Sequence, residues 1–205
     1  MAALKRGTYS RSHNLPEVWS GTGHVVYNNS LYFHRGRSAT IVRYDLSSGT
    51  IKAQVSIPFA QYQIRNQQGY LYNSNYTYFD IEVDDNGLWV IYKTAELNQN
   101  LVVSRLDPEN LAITKTIVSN HPQRSAGDAF IICGRLYTAK SSQDFNSTVD
   151  FAVNLFTGEE LTDVDIPYQI GHMKMTMMSY NPRKQLLYAW DKGYMVTYSV
   201  SLTEP

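Results

Sequence analysis

This sequence predicts an all-β chain built from propeller blades, on three observations. A strand, a tight turn and a Leu-aromatic pair recur at Leu31-Tyr32, Leu88-Trp89, Leu136-Tyr137 and Leu187-Tyr188, about 50 residues apart. Further short runs rich in β-branched and aromatic residues follow each recurrence, giving about four strands per unit. No segment sustains a 3.6-residue apolar period. One four-stranded sheet cannot bury both of its faces, but sheets packed radially cover one another. An immunoglobulin-like sandwich would also give short strands, though not this period.

Residues 1–19 are polar and basic with little periodicity, and are expected to form a loose lead-in to a domain over 20–205. The first unit is VVYNNSLYF, followed by IVRYDL (41–46), the Ser47-Ser48-Gly49 turn and TIKAQVSIP. The second is VDDNGLWVIY, then LVVSRL (101–106), a turn at Asp107-Pro108 and ITKTIVS. The third is FIICGRLYT, then VDFAVNL (149–155) and a turn at Phe156-Thr157-Gly158 that leads to one more β-rich run. The fourth is YNPRKQLLYAW, then YMVTYSV (194–200), with no further run after it. Four is the low limit for a propeller, and no closing strand is evident near residue 1, so a unit missing upstream is expected.

The stretch from Asp80 to Tyr92, DIEVDDNGLWVIY, concentrates negative charge on one strand. Alternation puts Asp80, Glu82 and Asp84 on one face, and Asn86-Gly87 is expected to make the hairpin turn. Two readings stay open from the residues: a solvated strand face, or a buried cation site.

Composition narrows the function classes. Net charge is zero and the pI is near 7.0, which argues against nucleic acid or an anionic membrane surface as the main partner. No apolar run is long enough to cross a bilayer, and the first ten residues, MAALKRGTYS, have no apolar core of a signal peptide. The sequence holds 16 Tyr, a residue that suits strands and contact rims. The single Cys133 is expected to be a buried free thiol or half of a pair whose partner is missing. Asn28, Asn75 and Asn146 begin Asn-X-Ser/Thr triplets, which matter only in a secreted protein.

His13, His24, His34, His121 and His172 lack metal spacing and are expected at the surface or in caps. Met173, Met175, Met177 and Met178 are spaced to line a strand. There is no nucleophile elbow, phosphate loop or Cys/His dyad. A propeller glycosidase would need paired carboxylates at one rim, for which Asp80, Asp128 and Asp150 are the candidates on paper.

GTGHVVYNNSLYF (21–33), IVRYDL, GLWVIY, LDPENL (106–111), RSAGDAFIICGRLY (124–137) and YNPRKQLLYAWDKGYMVTY (180–198) resemble segments of the olfactomedin domain, in that family's order, over about Leu15 to Leu202. Their texture fits the branch of myocilin and of gliomedin and colmedin. The resemblance implies a five-bladed propeller with about four blades in this chain, truncated upstream by one blade. A truncated ring would expose two blade faces, so low stability or aggregation is expected. The resemblance also implies that Cys133 pairs with a cysteine near the start of the family domain, and that the protein is secreted into an oxidising compartment.

Many olfactomedin domains hold Ca2+ on the axis. Carried onto this sequence, the resemblance implies the Asp80 carboxylate, the Asp128 side chain, the Ala129 and Met178 carbonyls and position 179 as ligands, a mixture suited to a hard cation. Ser179 stands where calcium-binding members have Asp, and Asp128 where some have Asn or Glu. Ca2+, a monovalent ion such as Na+, or no ion are the outcomes left open. Glu82 and Asp84 are expected towards a surface or neighbouring backbone, and Tyr78 and Phe79 fall where many members carry Asp-Ile. The function implied is a non-enzymatic extracellular module that binds matrix or cell-surface proteins in adhesion or signalling. A sugar hydrolase and a cytosolic scaffold are the alternatives.

Overall fold

The computed structural model describes Tyr9 and residues 11–62, 69–74, 76–94, 100–161 and 163–202. Among them, sixteen strands and no helix form four separate antiparallel sheets, the blades expected from the recurrence. The first blade orders β1 (Val25–Tyr27), β2 (Ser30–Arg35), β3 (Thr40–Asp45) and β4 (Thr50–Ser56). The second orders β5 (Asp80–Asp84), β6 (Gly87–Tyr92), β7 (Asn100–Leu106) and β8 (Ile113–Pro122).

The third blade runs β9 (Asp128–Ile132), β10 (Arg135–Ala139), β11 (Asn146–Asn154). Two pieces, β12 (Glu160–Leu161) and β13 (Ile166–Gln169), then pair with different ends of β11 and share the fourth-strand position. The fourth blade has three strands, β14 (Met175–Asn181), β15 (Leu186–Asp191) and β16 (Tyr194–Ser199).

The tight turns follow the residues that tolerate left-handed backbone. Asn28-Asn29, Cys133-Gly134 and Lys192-Gly193 all carry positive φ, as two-residue hairpin turns between right-twisted strands require. The turn after β5 departs from expectation. Asp84 pairs with Gly87, so the loop is Asp85-Asn86, and the positive φ falls on Gly87 at 121°. A glycine following two ordinary turn residues relieves the strand twist there.

Apolar faces of neighbouring blades make the core. Between the first two, Tyr32 and Ile41 meet Ile81, Leu88 and Val90. Between the second and third, Trp89, Ile91 and Val103 meet Ala129, Ile131 and Leu136. Between the third and fourth, Phe130, Ile132 and Val149 meet Met175, Met178 and Tyr180. A register shift between Met175 and Met177 lets both Met175 and Met178 point into that layer, although they are an odd number of residues apart.

The other face of the first blade, Phe33, Val42 and Tyr44, is packed by Leu15 from the segment expected to be loose. That segment also docks through main-chain bonds, Gly36 N–H to the Val18 carbonyl at 2.7 Å and Ser20 N–H to that of His34 at 3.0 Å. Tyr32, Tyr44, Tyr70, Tyr72, Tyr78, Tyr92 and Tyr180 are buried, so the tyrosines serve the core more than the rims.

Asp84 fastens the second blade to the third. Its carboxylate accepts from the Trp89 indole N–H at 2.8 Å and from the Asn86 amide at 2.9 Å, and also from the Gly134 amide in the β9–β10 turn. Asp84→Ala is expected to cost about 2–4 kcal/mol, because it leaves buried donors unpaired. The test is a urea titration, in which the midpoint should fall with little change in slope. A loss under about 0.5 kcal/mol would remove Asp84 from this role.

Candidate metal centre

Each blade places its first strand innermost, and these strands meet. β5 lies against β1, β9 and β14, and β14 also lies against β9. Alternation on β5 turns Asp80 and Glu82 to one side, where β9 brings Asp128 and β14 brings Ser179. The result is a group of carboxylates sealed from water, with Asp80 3%, Glu82 0% and Asp128 4% exposed.

The hydrogen bonds into this group come from neutral donors. The Tyr72 hydroxyl donates to Asp80 Oδ2 at 2.6 Å. The Ala129 amide donates to Asp128 Oδ1 at 2.9 Å, and the Met178 amide also bonds to the Asp128 carboxylate. The Ser179 hydroxyl donates to Glu82 Oε2 at 3.2 Å, and the Tyr180 amide reaches the same carboxylate. Glu82 Oε1 is buried and has no hydrogen-bond partner.

Burial pushes the Asp80 carboxyl up to about 7, against the pull of Tyr72 and the Ile81 amide. Burial, then the charges of Asp80 and Asp128, hold Glu82 well above the ordinary carboxylate range. Asp128 is raised by burial and then by Asp80. Three carboxyls raised by burial, two of them also by a neighbour's charge, either keep protons or take a cation.

The donor chemistry fits a hard cation. In an extended strand a residue's N–H and C=O point to the same side. The Ala129 and Met178 amides both point at Asp128, so their carbonyls also face the axis. Two carbonyls, Asp80 and Asp128 are all-oxygen donors of the kind that Ca2+ takes. Among the described residues, no three His, Cys, Asp or Glu side chains converge as a ready cage. A set that is part main chain does not need them to.

The sequence-derived candidates therefore separate. Asp80, Asp128, Ala129 and Met178 come together at the axis, and Ser179 reaches the group only through Glu82. Glu82 was expected towards a surface or neighbouring backbone; it is buried beside Asp80, and its carboxylate meets the Tyr180 amide and the Ser179 hydroxyl. Its place in the alternation with Asp80 was the signal for that. Asp84 does face neighbouring backbone, at Gly134.

Asp150 sits on β11, the third strand out, and accepts from the Thr138 hydroxyl at 3.0 Å, apart from the buried group. No rim pair of the glycosidase kind is built from Asp80 and Asp128, since both are sealed from solvent. His34 and His121, expected near the surface, are buried, with burial lowering the pKa of each.

Cys133 is exposed at the tip of the β9–β10 turn, where φ is 50°, so the buried thiol expected of a lone cysteine is not found. Packing around the sulfur, then Asp85 and Asp84, raise its pKa and keep it a slow nucleophile. Asn28 and Asn146 are exposed, and Asn75 lies outside the described residues.

These features define a β-propeller that gathers carboxylates and main-chain carbonyls on its axis. The model of the olfactomedin-like domain matches residues 1–205, and the chain belongs to that family. Myocilin of Homo sapiens is 42% identical over 204 residues, covering 100% of this chain and 40% of its own length. Myocilin of Rattus norvegicus is 40% identical over 204 residues, with the same coverage of 100% and 40%. The chain thus spans about 40% of the length of these relatives. A computationally designed protein, Ika4, superposes with a TM-score of 0.46 at 11% identity, over 93% of this chain and 100% of its own, and carries no argument.

Proposed function

We propose that this chain is a non-enzymatic, extracellular protein-binding module, its blades held in register by Ca2+ on the axis. The observation that carries the reading is the sealed carboxylate group. It is closed to any substrate, and one of its oxygens, Glu82 Oε1, is buried without a hydrogen-bond partner. Membership of a family that includes the myocilins supports the extracellular, partner-binding part.

Asp80, Asp128 and the carbonyls of Ala129 and Met178 would hold the ion, with Na+ as the competitor. The ion's contribution is charge compensation between blades two, three and four. Loops and exposed apolar side chains at the rims, among them Phe59, Phe145, Phe156 and Trp190, would meet matrix or cell-surface proteins in adhesion or signalling. Exposure of Cys133 leaves it open to a cysteine outside this sequence.

Calorimetry of the protein with Ca2+ tests the ion. Measurable heat and a raised melting temperature are expected, whereas neither heat nor shift would overturn it. For the compartment, peptide-N-glycosidase treatment of protein from its native cells should release glycans from Asn28 or Asn146. Unmodified asparagines at both, on protein confined to the cytosol, would favour a cytosolic scaffold.

A further inference from the structure

We infer that Glu82 is itself a cation ligand, through Oε1, and that Ser179 is its positioning residue. The inference rests on the axial-cation reading above and adds to it a ligand and a charge. Glu82 is fully buried, with one oxygen held by the protein and the other bare. The held oxygen is Oε2, fixed by the Ser179 hydroxyl at 3.2 Å. The Tyr180 amide steadies the same carboxylate. A carboxylate anchored on one side from a second blade has lost most of its rotamer freedom, and its free oxygen is oriented before any ligand arrives.

That free oxygen belongs to the side chain that shares a face of β5 with Asp80, where β9 brings Asp128 and β14 brings Ser179. Leaving it unpartnered is costly in a dry interior. A bound cation is the one partner that would satisfy it and discharge its neighbours at once. With Glu82 counted, three carboxylates and two carbonyls line the axis; among the described residues the side chains do not form a ready cage and would close on the ion as it binds. Water would complete the six to eight that Ca2+ takes. Such a charge count favours a divalent or trivalent ion over Na+, because affinity in oxygen sites follows ligand charge.

Tb3+, a trivalent ion that replaces Ca2+ at oxygen sites and is sensitised by nearby tyrosine, is the second probe beside Ca2+ itself. Tyr72, bonded to Asp80, is the antenna. Glu82→Gln is expected to weaken both ions tenfold or more, and Glu82→Gln/Ser179→Asp to regain most of that loss by returning a carboxylate to the same spot.

Wild type that gives neither Ca2+ heat nor Tb3+ emission overturns the axial cation and this inference together. Wild-type binding that Asp80→Asn abolishes but Glu82→Gln leaves unchanged overturns the role of Glu82 alone. Should Glu82→Gln not fold, Glu82→Asp serves instead. Its shortened arm should weaken the ion severalfold, and equal affinity would overturn the inference.

Discussion

Gly23→Val is expected to destabilise the protein by about 3 kcal/mol or more and to abolish cation binding at the axis. A Cβ on Gly23 would lie 2.5 Å from the Asp80 Cα, 2.5 Å from Asp80 Oδ1 and 2.5 Å from the Phe79 carbonyl oxygen. Two of those three atoms are backbone of β5 or of the residue just before it, so no side-chain rotation makes room. The strand that bears Asp80 and Glu82 would have to move, and Asp80 would lose its distance to Tyr72 and to β9. Gly23→Ala should show a smaller loss of the same kind. Gly171→Ala is the control, because a Cβ there meets nothing within 4 Å. Thermal melts of the three variants decide. A Gly23→Val protein within 1 kcal/mol of wild type would mean that the segment before β1 yields freely and does not fix β5.

The second large effect is in pH. A carboxyl whose folded pKa is raised binds its proton more tightly folded than unfolded, so it contributes stability at low pH that is lost as pH rises. For Asp80 the loss runs from its ordinary value of 3.8 to about 7, and for Glu82 and Asp128 it begins near their ordinary values and continues upward. Half-buried His24 and buried His34 and His121 act in the opposite sense. Burial lowers their pKa values, so they oppose folding as pH falls through about 6.5. The histidines contribute alike with and without cation, and so cancel in the difference between the two melts.

The gain in melting temperature on adding Ca2+ should therefore grow from pH 5 to pH 8, as the cation displaces protons the group would otherwise hold. A difference on the order of a few kcal/mol corresponds to roughly 10 °C for a chain of this length. A gain independent of pH would show that the carboxyls are already ionised without the ion.

Much of the fold was legible because blade repeats write themselves into strand spacing. Leu31, Leu88, Leu136 and Leu187 each stand at one point in a blade, the strand that follows the first turn, and the three-stranded fourth blade was visible in the lack of a run after Val200. Alternation also put Asp80 and Glu82 on one face. What it could not supply was which way that face looks. On an innermost strand both faces meet other blades, so a polar side chain with no helix or loop over it can still be sealed. The burial of Glu82 was not legible for that reason.

Cys133 was expected to be buried because free cysteines usually are, although Cys-Gly between two strands is a turn in its own right and turns are exposed. Asn86-Gly87 failed more subtly. The pair suits a hairpin, but the register set by Trp89 against Arg105 and Asp84 against Gly87 draws the glycine into the ladder. Local sequence offers the turn, and packing between blades chooses its frame.

The hydrogen bond from Ser179 to Glu82 joins residues 97 apart, whereas the hairpins that carry them close through loops of a few residues. Each hairpin can form early and alone. The axial group exists only after the second, third and fourth blades have docked, which places it among the last contacts on the folding path. An ion bound there stabilises the docked blades while leaving the transition state almost untouched. It would act as a brake on unfolding, lengthening the lifetime of the assembled propeller without hastening its assembly.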